Sequence, residues 1–203
     1  MKIIGITGGI GSGKTKVMEY LQETQGAVIC RTDEVGRKLQ RKGTSCFQKI
    51  VETFGEEVLN TKGSLDREKL AEIVFSQEEK RERLNSIVHP AVKEEVLKKI
   101  EKERKKGTEI FLLESALLIE DSYEQICDEL WYIYVESSIR RKRLVYTRGY
   151  TEEKIEKIMA AQLPKQSFLD HCNRVVDNSG SFAETIQQLE QIMKDLTERQ
   201  TKS

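Results

Sequence analysis

The residues Gly8-Gly9-Ile10-Gly11-Ser12-Gly13-Lys14-Thr15 fit G-x-x-x-x-G-K-[ST] at every required position. Each residue type has a task in holding a phosphate chain. Glycines let successive backbone N–H groups turn inward around an anion with no Cβ in the way. A helix that opens at Lys14 adds the positive end of its dipole. Lys14 is placed to reach the β- and γ-phosphates, and the Thr15 hydroxyl to ligate a magnesium ion. The segment Gly8 to Thr15, extended by Lys16, is therefore assigned to ATP, with Lys14 also a catalytic cation. A dinucleotide-binding loop is excluded. Neither Gly9-Ile10-Gly11 nor Gly11-Ser12-Gly13 is followed by glycine at the third position that G-x-G-x-x-G demands.

Other chemistry-bearing residues are spaced along the chain, each with two readings. Asp33 is placed to take a proton from an acceptor hydroxyl, or to cap the helix that starts near Glu34. Arg37, four residues on, holds an acceptor phosphate or pairs with Asp33. Glu114 closes the apolar run Ile110-Phe111-Leu112-Leu113, where it orders a metal-bound water or is a solvated strand end. Arg141 and Arg148 stand seven apart in a basic stretch with Arg140, Lys142 and Arg143. They close over ATP, one as an arginine finger, or belong to a solvated face. His89 precedes Pro90 at a bend, contacting the acceptor or only shaping a kink. Asn178 follows the last strand, beside the adenine.

Five short apolar runs, 2–7, 27–31, 109–114, 130–136 and 174–177, read as strands; several are apolar on consecutive residues, as in strands covered on both faces. Helical stretches fill the intervals, one of them expected between the third and fourth strands, and this alternation predicts a parallel sheet between two helical layers. The expectation is an α/β, three-layer P-loop NTPase fold with a five-stranded parallel sheet. A single domain carries a helical acceptor-binding insert at 32–108 and a lid region at 137–171. Pro90 is expected to end one helix near Val88 and start another. The last helix, from Phe182, is expected to fray from Thr197 onward.

Composition narrows the function. Thirty-four basic residues balance 34 acidic ones, so the chain lacks the positive excess of a general nucleic-acid or membrane-surface binder. Its four cysteines show no C-x-x-C spacing and lie far from its two histidines, which suits neither a zinc site nor a disulfide framework. With no signal-like start and no membrane-length apolar run, a cytoplasmic protein is expected, a monomer or weak homo-oligomer. No Asn-Lys-x-Asp segment for reading guanine is present. Small size, an insert after the second strand and an arginine-rich stretch after the fourth favour a small-molecule kinase over a switch or motor.

At this point several segments together resemble the dephospho-coenzyme A kinase family, in order and over nearly the whole chain. They are Gly5-Ile6-Thr7 with the phosphate loop, Asp33 and Arg37 as D-x-x-x-R, Val88-His89-Pro90, Leu117-Leu118-Ile119-Glu120, Ala160-Ala161-Gln162, and Val176-Asp177-Asn178-Ser179-Gly180. Arg31 stands where the family often has its first acidic residue, and Ala116 where it usually has proline. The resemblance implies ATP and dephospho-coenzyme A as substrates, Mg²⁺ as cofactor, and phosphorylation of the ribose 3′-hydroxyl. It favours Asp33 as the base over the helix cap, and leaves both readings of Arg37, His89 and Glu114 open. A nucleoside monophosphate kinase and a non-catalytic nucleotide switch are the alternatives.

Overall fold

A computed structural model describes residues 1–75 and 77–200. Five strands form one sheet: β1 (Lys2–Thr7), β2 (Val28–Arg31), β3 (Ile110–Glu114), β4 (Glu129–Tyr134) and β5 (Arg174–Asp177), in the order β2-β3-β1-β4-β5. β1 runs parallel to β3 and β4, and β4 parallel to β5. The helices are α1 (Lys14–Gln25), α2 (Thr32–Leu39), α3 (Ser45–Phe54), α4 (Arg67–Phe75), α5 (Glu78–Lys105), α6 (Ser137–Arg148), α7 (Glu152–Ala160), α8 (Lys165–His171) and α9 (Phe182–Gln200). The expected α/β fold with a parallel sheet is present.

The chain divides into two compact units. One comprises Met1–Ile29 and the chain from Glu109 onward; the other is Cys30–Thr108. In the first, one face of the sheet packs Ile4, Ile6, Leu112, Trp131 and Ile133 against Val17, Met18 and Leu21 of α1 and Leu189 of α9. Within β1 and β4 these residues stand two apart, as side chains on one face of a strand must. With β1 central, the chain leaves it toward β2 on one side and reaches β4 on the other, so the carboxyl end of β1 is a topological switch point, where ligands bind in open α/β sheets. Ile6 pairs with Glu114, which puts the acidic end of β3 beside the start of the phosphate loop.

The second unit has its own core of Cys46, Ile50, Phe54, Val58 and Leu70, against which Leu84, Ile87, Val88 and Ala91 of α5 pack. Val92, Val96 and Ile100 carry the buried stripe on along α5. This stripe corrects the expectation at Pro90, since α5 runs unbroken through it. Proline removes one backbone donor and crowds the preceding turn, but the apolar face is in helical register on both sides of it, and packing that whole face outweighs the local penalty.

Two further expectations are corrected. No α-helix lies between β3 and β4; the connection is a tight run with one 3₁₀ turn at Tyr123–Gln125. Its backbone is spent on turn bonds such as Tyr123 N–H to Leu118 O at 3.0 Å, and Leu118 and Tyr123 are buried. α9 continues through Thr197 to Gln200. The rest of the expected frayed tail, residues 201–203, lies outside the described residues.

Candidate functional site

The phosphate loop connects β1 to α1, and its shape depends on glycine. Gly8, Gly11 and Gly13 have φ of 142°, 79° and 84°, values that side-chain-bearing residues avoid. At Gly8 an added Cβ would also lie 2.5 Å from the carbonyl oxygen of Ile133. At Gly9 it would enter the Arg140 guanidinium, and at Gly13 the Asn178 amide. Among the described residues, the N–H groups of Gly11 and Gly13 donate to no acceptor. They are left available as donors to an anion, as a phosphate cradle requires. Lys14 Nζ donates to Gly8 O at 2.7 Å and Gly9 O at 3.5 Å, which ties its charge to the loop. The buried Ser12 hydroxyl has no hydrogen-bond partner among the described residues.

A cleft of ≈ 510 Å³ opens over this loop. Ile10, Gly11, Ser12, Gly13, Lys14, Thr15 and Lys16 line it, with Glu114, Arg148 and Asn178 of the expected residues. Gly8 and Gly9 instead form the loop's entry, behind the lining. Arg143, Thr147, Gly180 and Phe182 also line the cleft and were not singled out from sequence. The Phe182 ring carries Lys16 Nζ 4.0 Å from its centroid and meets Tyr20 edge-on.

Arg141 is not brought to the cleft. It pairs with Glu152 at 3.0 Å and with Glu156 at 3.7 Å, both on α7. Arg143 donates to Asn178 O at 2.9 Å, and Arg140 to Ile10 O at 3.0 Å and Gln162 Oε1 at 2.5 Å. Neither makes an ion pair among the described residues. Leu144 is the buried residue of α6 and marks its inner face. Arg140 and Arg143 lie on one flank of Leu144, and Arg141 on the flank turned to α7. Heptad spacing between Arg141 and Arg148 cannot choose between the flanks.

Asn178 acts as a strut. Its Nδ2 donates to Ser12 O at 2.8 Å and its Oδ1 accepts from Thr185 Oγ1 at 2.8 Å, so both ends of the buried amide are used inside the protein. The turn that carries it leads into α9 through a capping box, with Ser181 Oγ and the Glu184 carboxylate each accepting from the other's N–H.

In the second unit, Asp33 sits in the first turn of α2, directly after β2, and is exposed. The N-cap is Arg31, without a side-chain capping bond, so the capping role considered for Asp33 is not what the helix uses. Asp33 and Arg37 do not pair with each other among the described residues. His89 is half-buried within α5 and has an interaction partner.

For Mg²⁺, the donors on the cleft wall are the Thr15 hydroxyl and the Glu114 carboxylate. Both are hard oxygen donors, and no group of three or more His, Cys, Asp or Glu able to hold a metal occurs among the described residues. That set fits an ion held largely by nucleotide phosphates and water, as Mg²⁺ usually is.

Compared with known proteins, the chain matches the family model for dephospho-CoA kinase over residues 2–184. The chain belongs to the dephospho-CoA kinase family. Family members of this name include one from Carboxydothermus hydrogenoformans, 37% identical over 96% of this chain and 94% of its own length. Another, from Geobacillus kaustophilus, is 38% identical over 94% of each. Among solved structures, TT1252 from Thermus thermophilus matches with a TM-score of 0.80 and 26% identity, covering 96% of this chain and 97% of its own. A family structure, dephospho-CoA kinase from Campylobacter jejuni, has a TM-score of 0.72 at 22% identity over 98% of this chain and all of its own, which speaks to the fold.

Proposed function

We propose that the chain transfers the γ-phosphoryl group of ATP to the 3′-hydroxyl of dephospho-coenzyme A, giving coenzyme A and ADP, the final step of coenzyme A biosynthesis. The observation that carries this reading is a complete phosphate loop, walled by Arg143 and Arg148, in a chain whose family match spans residues 2–184.

The O–P bond forms between the acceptor 3′-oxygen and the γ-phosphorus while the bond to the β,γ-bridging oxygen breaks, and ADP leaves with that electron pair. Such transfers are catalysed mainly by positioning and by stabilising charge on the moving group. The N–H groups of Gly11 and Gly13 and the Lys14 ammonium hold the phosphates. Arg143 and Arg148 face the same cleft and offset the charge that develops on the equatorial oxygens. Asp33 takes the hydroxyl proton; its exposed carboxylate is spent on no other side chain among the described residues. Arg37 and His89 are assigned to the acceptor, within the helical unit that follows β2. Thr15 and Glu114 would hold Mg²⁺, which when bound neutralises phosphate charge.

Among the described residues no helix is long and apolar enough to cross a membrane. Four free thiols suit a reducing compartment, and we place the protein in the cytoplasm on that ground. The test is to follow product by mass spectrometry with Mg-ATP and a panel of acceptors. Dephospho-coenzyme A should be phosphorylated far faster than AMP, CMP, shikimate or gluconate. Preference for AMP or CMP would make it a nucleotide kinase, and ATP loss without phosphorylated acceptor a switch.

A further inference from the structure

A second cavity, of ≈ 450 Å³, lies in the first unit beneath α6, α7 and α8. It shares no lining residue with the nucleotide cleft. Its walls are aromatic. Tyr132 of β4 stacks on Phe168 of α8 with centroids 4.7 Å apart and planes inclined by 11°. Tyr134 adds a third ring, with Lys165 Nζ 4.2 Å from its centroid. Arg140 and Gln162 supply polar edges.

Two polar groups here lack hydrogen-bond partners among the described residues, and one cation lacks a counter-charge. Tyr132 is 4% exposed, yet its hydroxyl makes no hydrogen bond. The oxygen itself is not sealed from solvent, and on the cavity wall it is available to pair with a ligand that enters. The Gln162 side chain uses its oxygen on Arg140, and its NH₂ group bonds nothing. The Arg140 guanidinium has no carboxylate partner, and burial pulls its pKa down. An anion beside it would offset that desolvation.

The cavity borders the phosphate loop at one place, through Arg140. That side chain binds the carbonyl of Ile10 and fills the space into which a side chain at Gly9 would project. In dephospho-coenzyme A the reacting hydroxyl and the adenine are substituents of a single ribose. A pocket for that adenine must therefore lie a ribose's width from the transferred phosphoryl, whereas the pantetheine arm, beyond the diphosphate, is free to lie far away. The nucleotide cleft has an aromatic wall of its own, Phe182.

We infer that the cavity walled by Tyr132, Tyr134 and Phe168 binds the adenine base of the acceptor, with Arg140 at its mouth facing the acceptor's phosphates. The base extends the aromatic stack, and the Tyr132 hydroxyl and Gln162 amide pair with its polar edge. This rests on dephospho-coenzyme A being the acceptor, and it makes Gln162 and Tyr132 specificity determinants.

The test combines a direct contact measurement with two variants. Isotope-filtered NOEs, recorded with dephospho-coenzyme A bound and no ATP present, should connect adenine H2 or H8 to the ring protons of Tyr132 and Phe168. NOEs to Phe182 instead would overturn the inference. Ala160 lines the cavity at the exposed end of α7, so Ala160→Trp should fill it without disturbing a core. It should raise KM for dephospho-coenzyme A at least tenfold and leave KM for ATP within twofold. Tyr132→Phe keeps the ring, should raise the same KM severalfold, and decides the question if the tryptophan variant does not fold. An unchanged acceptor KM, or a rise in the ATP KM alone, would refute the assignment. Wild-type turnover is measured first: active wild type with insensitive variants removes only the pocket, while wild type inactive on dephospho-coenzyme A removes the functional reading with it.

Discussion

At the scale of single residues, the outcome turns on which polar groups the fold has already spent. Lys14 is held over the phosphate loop by carbonyl oxygens, not by core packing. Lys14→Ala should fold normally by circular dichroism and lose nearly all phosphoryl transfer. Asp33 neither caps α2 nor pairs with Arg37, so Asp33→Asn should leave ATP affinity within a few-fold. It should lower kcat by about 10²–10⁴, the typical worth of a positioned base. A fall in melting temperature with kcat preserved would mark a structural role instead. The arginines divide by partner. Arg143→Ala and Arg148→Ala should reduce kcat/KM for ATP by at least about tenfold, as removing a cation from the transferred group requires. Arg141→Ala breaks only exposed pairs to Glu152 and Glu156, so its effect should stay within about 1 kcal/mol of stability, with near-normal kinetics.

At the scale of elements, α5 shows tertiary packing overriding a local rule. Leu84, Ile87, Val88 and Ala91 before and after Pro90 share one core, and Val92, Val96 and Ile100 extend the same face. A helix broken at Pro90 would strand part of that stripe in water. Proline still carries its local cost, about 3 kcal/mol relative to alanine in a helix interior, partly returned because proline restricts the unfolded chain. Pro90→Ala should therefore stabilise the protein by about 1–2 kcal/mol in denaturant titration; a destabilised variant would mean that the helix depends on proline's fixed φ. At α6, two flanks of one helix serve different neighbours, α7 on one and the phosphate loop with the Asn178 turn on the other.

At the scale of the whole molecule, the four cysteines are free, and burial pushes the thiols of Cys127 and Cys172 up to about 12. An unfolded cysteine ionises near 8.5. Between those values the unfolded state binds fewer protons than the folded one, so stability falls as pH rises. The contribution should be complete below about pH 8.5 and drain away as pH climbs toward 12. Thiol-exchange labelling at pH 8 should accordingly be slow in the native protein and fast once it is unfolded. A native rate equal to the unfolded rate would mean that these thiols are not sequestered.

Local chemistry was readable from the chain because each local requirement is met by adjacent residues. The phosphate loop needs glycines and a lysine at fixed offsets after a strand, and Gly8 to Thr15 supply them. Short apolar runs located all five strands. What sequence left open depended on residues far apart in the chain. The choice of Arg140 and Arg143 over Arg141 depends on where α7 and Ile10 lie around α6. The spending of Asn178 on Ser12 and Thr185 joins residues up to 166 positions apart. The continuity of α5 follows from a core in which Cys46, Ile50 and Leu70 take part. The cavity beside Arg140 has no sequence motif, because its rings come from β4 and α8 and meet only when α8 packs on the sheet. Sequence fixes what a residue is able to do, and tertiary packing decides which of its groups are left free to do it.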